Sequence, residues 1–151
     1  MERERVLFLC AHNAARSQLA EALLRHLSGD RFEVCSAGLQ PTEIHPLTRR
    51  VLDEIGVDTT ALRAECLETY MAKVSVQYAI VVCERTQAQC PRLYPFAQRT
   101  LYWPLEDPVS SPGSPEERLE KFRDIRDQIE DRLRAWLREV QPPAQTKHHA
   151  Q

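Results

Sequence analysis

Two short runs, Val6-Leu7-Phe8-Leu9 and Tyr78-Ala79-Ile80-Val81-Val82-Cys83, are apolar almost throughout. A strand with one wet face alternates apolar and polar residues, because successive side chains point to opposite faces. A short continuous run instead describes a strand covered on both sides, as in a parallel sheet held between helices. That requirement limits the fold more than any other feature of the chain.

The segments around these runs supply the helices. Residues 16–28 place Leu19, Leu23, Leu24 and Leu27 at helical spacing, with Gly29 as a stop. Phe32 to Ser36 alternates like a second strand, and Ala37-Gly38 breaks it. Pro46 suits a first helical position; Leu47, Val51, Leu52 and Ile55 follow on one face, and Gly56 closes the segment. Residues 65–71 carry a weaker helical pattern, and Thr100 to Trp103 form a short fourth strand. Ser114, Pro115 and Glu117 spell a capping box before a long amphipathic helix lined by Leu119, Phe122, Ile129, Leu133, Trp136, Leu137 and Val140. The alternation predicts a doubly wound α/β fold with a four-stranded parallel sheet flanked by helices. Residues 1–140 form one domain in this reading. Residues 141–151 open with two prolines, lack apolar periodicity and read as a flexible tail, with His148 and His149 in solvent.

Composition narrows the functional classes. A chain of 151 residues can bury a core without metal or disulfide staples. Its formal charge of -2, with basic and acidic residues interleaved, gives no stripe for nucleic acid. No apolar run is long enough to span a bilayer and no export signal precedes the first strand, so the expectation is a cytoplasmic protein with neither membrane nor nucleic-acid partner. Cys10, Cys35, Cys66, Cys83 and Cys90 are an odd number, which favours working thiols over a structural disulfide framework. Cys35 and Cys66 read as small core residues.

The chemistry concentrates in CAHNAARS, residues 10–17, between the first strand and the first helix. Such a loop directs backbone N–H groups and the positive end of a helix dipole into its curl, a cradle for an anion. Small side chains at Ala11, Ala14 and Ala15 let the backbone approach the ligand. Arg16 can grip two of its oxygens with a planar fork. The same groups stabilise negative charge on the Cys10 sulfur and make it a nucleophile, with Ser17 able to donate a further hydrogen bond and Asn13 able to brace the loop. Ligands of open parallel sheets bind at the carboxyl ends of strands, and both Cys10 and Cys83 end strands there.

With its strand, small residues and arginine in this order, CAHNAARS resembles the Cys-x5-Arg phosphate loop of low-molecular-weight protein tyrosine phosphatases and of the arsenate reductases built on that fold. The resemblance covers roughly residues 5–140. Phosphatases of the family have Cys-x-Gly-Asn-x-Cys-Arg-Ser, whereas this chain has His12 for the glycine and Ala15 for the second cysteine. Cys83-Glu84-Arg85-Thr86-Gln87-Ala88-Gln89-Cys90-Pro91 is similar to the redox pair of thioredoxin-coupled arsenate reductases.

The resemblance implies an enzyme that reduces arsenate to arsenite through a Cys10–arsenic adduct, a Cys10–Cys83 disulfide and then a Cys83–Cys90 disulfide reduced by thioredoxin. Residues 10–17 would bind arsenate, with phosphate or sulfate as competing anions. Glu106-Asp107-Pro108 resembles the family's general-acid loop and makes Asp107 the proton donor to the departing oxygen. Val109 stands where phosphatases carry an aromatic residue that stacks on substrate. A phosphatase forming a Cys10 phospho-enzyme is the alternative, and an anion-responsive redox sensor a third reading. No tightly bound cofactor is implied. Some reductases of this group hold potassium beside the loop, and the matching positions are Asn13, Glu21, Ser36 and Glu65. His12, His26 and His45 show no zinc spacing.

Overall fold

The computed structural model describes residues 3–10, 15–38, 42–63, 75–83 and 96–140. Strand β1 (Glu4–Cys10) leads to helix α1 (Arg16–Ser28), β2 (Phe32–Gly38), α2 (Pro46–Asp53), β3 (Val76–Val81), β4 (Ala97–Tyr102) and α3 (Pro115–Glu139). The strands form one parallel sheet in the order β2-β1-β3-β4. All four therefore point their carboxyl ends to the same edge. The chain moves to one side of β1 for β2 and to the other for β3, so the topology changes direction at β1, the place on the carboxyl edge where open parallel sheets bind ligands.

Burial follows the apolar runs. Val6 to Cys10 of β1 and Ala79 to Cys83 along and after β3 are buried, as a central pair covered on both faces must be. The edge strand β4 carries exposed Gln98 and Arg99. Its polar start hides the beginning of the strand from the sequence pattern, which points to Thr100; pairing with β3 from Val76 onward, not local hydrophobicity, extends the ladder back to Ala97. Likewise β2 continues through Ala37 and Gly38, where the sequence suggested a break, because its register with β1 runs on to Cys10 opposite Gly38. Helix α2 stops at Asp53, short of the expected Ile55, and a turn closes it on Gly56 at φ 75°. That conformation is open chiefly to glycine. The expected helix over 65–71 and the tail from 141 lie outside the described residues.

Helix α3 closes the core. Ser114 accepts from the Glu117 N–H at 3.2 Å and the Glu117 carboxylate accepts from the Ser114 N–H at 2.8 Å, so both halves of the capping box form. Its buried face carries Leu119, Phe122, Ile125, Ile129, Leu133 and Trp136. Trp136 touches Phe32 of β2, Tyr78 of β3 and Trp103 beyond β4 at ring distances of 5.4, 5.0 and 6.2 Å. One side chain thus ties three strands to one helix. Arg126 interrupts the apolar face, and its burial is compensated by the Val51 carbonyl and the Glu54 carboxylate of the α2 end.

Truncating Ser114 to alanine removes one half of the capping box and should cost about 1 kcal/mol. In a domain of this size that is a fall of about 2–4 °C in Tm by calorimetry. Phe122→Ala, which hollows the fully buried centre, should cost about 3–5 kcal/mol.

Candidate active site

The carboxyl edge of β1 ends in Cys10, which is buried, and α1 begins at Arg16. Ala15 occupies the N-cap position with a side chain that cannot cap, and the first turn of α1 contains no acidic residue. Helix α3, by contrast, has a full capping box and two glutamates in its first turn. The start of α1 therefore carries neither a side-chain cap nor a carboxylate that would compete with an incoming anion. Ser17 Oγ lies 2.9 Å from Cys10 Sγ, and both residues are buried. The hydroxyl meets the sulfur because the first helical turn folds back over the end of β1.

Arg16 is only 3% exposed. Its Nη1 donates to the Leu105 carbonyl at 3.0 Å, and its Nη2 lies 3.8 Å from Asp107 Oδ2. The loop after β4 thus reaches the start of α1 across the sheet edge. Within that loop the Asp107 carboxylate accepts from the Val109 N–H at 3.0 Å and the Ser110 hydroxyl at 3.2 Å, and Arg118 of α3 donates to the Val109 carbonyl at 2.9 Å. His45, at the cap of α2, stacks on Phe122 at 4.9 Å. Burial and the nearby Arg118 hold its imidazole below the ordinary value, against the opposing pull of Asp107.

Cys83 lies two residues beyond the end of β3, the neighbour of β1. Leu9 pairs with Val81, and the Val82 N–H donates to the Leu9 carbonyl at 2.9 Å, so Cys83 leaves the sheet beside the strand end that carries Cys10. It is buried and disulfide-bonded, with a partner outside the described residues, whereas Cys10 and Cys35 are free thiols. The structure therefore brings Cys10, Arg16, Ser17 and Asp107 together and sets Cys83 on the same edge. Ala11, His12, Asn13, Ala14, Cys66 and Cys90 lie outside the described residues.

Cys35 is partly buried and packs against the core, and its thiol is held in the protonated form. Burial, then the Glu21 carboxylate, push it up to about 12. An acid raised in the folded state favours folding while protonated. This contribution is present below the unfolded value near 9 and fades as pH climbs toward 12.

Two of the four positions matching a potassium site are described. Glu21 Oε1 accepts from the Ser36 hydroxyl at 2.5 Å, and Glu21 Oε2 accepts from Arg25 at 2.6 Å. The Arg25 guanidinium, which also donates to the Val34 carbonyl, supplies the positive charge that an ion would bring. The other two positions, Asn13 and Glu65, lie outside the described residues, and no step below passes through an ion. Among the described residues no group of three or more His, Cys, Asp or Glu side chains could hold a metal. No helix there is long and apolar enough to cross a membrane.

Sequence reasoning did not reach the Leu105 carbonyl, Arg118 or the placement of His45. A backbone acceptor has no side-chain signature, and Arg118 lies eleven positions from Asp107 with no motif joining them.

A buried cysteine ends a central strand of a doubly wound parallel sheet, beside a helix start and a buried arginine. The profile of low molecular weight phosphotyrosine protein phosphatases matches residues 5–146, and the chain belongs to that family. An arsenate reductase of Oceanobacillus iheyensis is 27% identical over 138 residues, spanning 91% of this chain and 98% of its own. An arsenate reductase solved in a phosphate-binding state superposes with a TM-score of 0.75 at 26% identity, covering 91% of this chain and 99% of that one. A thioredoxin-dependent arsenate reductase of Corynebacterium glutamicum gives 0.66 at 31% identity, covering 91% of this chain and 62% of that one.

Replacing Ser17 by alanine removes a hydrogen bond to the Cys10 sulfur and should slow its alkylation by iodoacetamide at neutral pH about tenfold, the size expected for a bond to a charged group. Peptide mapping of the native protein after such treatment should find Cys10 modified and Cys35 untouched.

Proposed function

We propose that the protein is an arsenate reductase whose Cys10, Cys83 and Cys90 pass oxidation in sequence to thioredoxin. The observation that carries this reading is Cys83, buried and disulfide-bonded at the end of the strand beside that of Cys10. A phosphatase needs one cysteine, and a second redox-active sulfur at the same sheet edge has no part in ester hydrolysis. The names of the relatives support the substrate, and the Corynebacterium structure supports thioredoxin as reductant.

The sequence of bonds balances. Arsenate enters the curl of residues 10–17, held by the helix start and Arg16. The Cys10 sulfur bonds to arsenic and one arsenate oxygen leaves as water, protonated by Asp107. Cys83, as a thiolate, then attacks the Cys10 sulfur. The S–As bond breaks with its electron pair remaining on arsenic, which leaves as arsenite, reduced by two electrons; a Cys10–Cys83 disulfide remains. Cys90 attacks the Cys83 sulfur and releases the Cys10 thiolate. The Cys83–Cys90 disulfide is finally reduced by the thioredoxin dithiol. Non-reducing peptide mapping of the oxidised protein should recover a Cys83–Cys90 pair.

The deciding experiment is arsenate-dependent NADPH consumption with thioredoxin and thioredoxin reductase. The wild type should turn over repeatedly. Cys83→Ser should lose turnover by at least a hundredfold, and Cys90→Ser should stop after about one equivalent of arsenite. Hydrolysis of phosphate monoesters surviving in Cys83→Ser, with no arsenate reduction by the wild type, would establish the phosphatase instead.

A further inference from the structure

The segment 103–114 between β4 and α3 contains neither helix nor strand, yet it carries Asp107. The two hydrogen bonds that Asp107 accepts, from Val109 and Ser110, come from within its own turn. They orient the carboxylate relative to that turn but do not fix the turn to the protein. Pro108 is buried and Leu105 and Val109 pack against the core, and polar contacts add to that packing. Arg16, at the start of α1, donates to the Leu105 carbonyl and lies 3.8 Å from the Asp107 carboxylate. From the first two turns of α3, Arg118 holds the Val109 carbonyl at 2.9 Å, and Lys121, three residues on and so on the same face, pairs with Glu106 at 2.5 Å. The contacts from α3 therefore straddle Asp107, one on each side.

They are unequal. Glu106 is 64% exposed, and an ion pair open to water contributes little. Arg118 is half-buried and reaches a backbone carbonyl with a rigid planar donor, so its bond limits the turn more strictly. Beside these groups opens a cavity of about 390 Å³ whose wall includes Glu106, Asp107, Ser110, Ser111, Glu117 and Lys121. A turn with open space along one flank has room to swing away from the anion loop unless something holds it. A proton donor must lie within about 2.6–3.2 Å of its acceptor, and an error of about 1 Å in such placement can cost a hundredfold in rate.

We infer that Arg118, seconded by Lys121, is a positioning residue for Asp107: it anchors the acid turn to α3 and keeps the carboxyl over the anion loop. The inference rests on the proposed role of Asp107 as proton donor. Arg118 touches no reacting atom and acts through the Val109 carbonyl. Its removal should lower kcat and leave KM for the anion unchanged, since the groups proposed to bind the anion lie in residues 10–17.

The test is a double-mutant cycle on thioredoxin-coupled arsenate turnover. Asp107→Asn should lose about a hundredfold in kcat. Arg118→Ala should lose about tenfold in kcat with KM within twofold, and Arg118→Lys should recover part of the loss. The double variant should be no slower than Asp107→Asn alone, because an anchor is worthless once the acid is gone. Alkylation of Cys10 should run at the wild-type rate in Arg118→Ala, which separates a displaced acid from a disordered anion loop. Losses that multiply in the double variant, a rise in KM in place of the fall in kcat, or full activity of Arg118→Ala would each overturn the inference, as would an Asp107→Asn enzyme as fast as wild type. If the wild type does not reduce arsenate, the functional reading fails by itself. The same five proteins then decide the inference on phenyl phosphate hydrolysis, where the leaving group also needs a proton; a wild type inert there too overturns both.

Discussion

A guanidinium 3% exposed to solvent sets the terms for the whole carboxyl edge of the sheet. Taking a permanent cation out of water is costly unless its donors meet acceptors and its charge meets an opposite one. The loop after β4 supplies part of the compensation, the Leu105 carbonyl at 3.0 Å and the Asp107 carboxylate at 3.8 Å. The guanidinium is thereby held at the carboxyl edge of the sheet, where β1 ends in Cys10. In the proposed function the two side chains share one anion, the arginine gripping its oxygens and the sulfur bonding to its central atom.

The two long helices show the same physics used for opposite ends. Every early N–H of a helix seeks an acceptor. At α3 the chain provides them itself, with Ser114, Glu117 and a second acidic residue, Glu116, in the first turn. That helix begins as a finished structural part, able to carry Arg118 and Lys121 as fixed points. At α1 the N-cap is Ala15, and no carboxylate occupies the first turn. What would be a defect in a structural helix becomes, in the proposed function, the complement of an anionic ligand. Cys10 and Ser17 are buried beside that start, in a low-dielectric setting where each oriented donor counts for more.

How much of this was legible beforehand depends on whether the signal was local. The runs of β1 and β3, the heptad-like face of α3 and its capping box depend on neighbours within a few residues, and the folded chain agrees with them. Strand ends were read too short at Ala37-Gly38 and at Ala97 to Arg99, because ladder pairing with a distant strand decides them. Cys10, Arg16 and Ser17 could be placed together since they share one turn. Asp107 could be assigned to the same edge from topology, but its connection to Arg16 through Leu105 could not, since a carbonyl bond spanning 89 residues leaves no trace in composition or spacing. The burial of Arg126 was missed for a related reason: its partner Glu54 sits 72 residues away on another helix.

The geometry of Arg16 and Asp107 also bears on the acid step of the proposed mechanism. Nη2 of Arg16 lies 3.8 Å from Asp107 Oδ2, so the group proposed to hold the oxyanion and the group proposed to protonate its leaving oxygen stand together at one point of the sheet edge. An oxyanion drawn to that arginine brings negative charge beside the carboxyl group, and like charges repel. A freely moving turn would relieve the repulsion by swinging toward solvent. Anchorage from α3 on one side and through Leu105 on the other opposes that motion, and this is the reason a rigid, fully capped helix should stand behind a loop proposed to do acid chemistry.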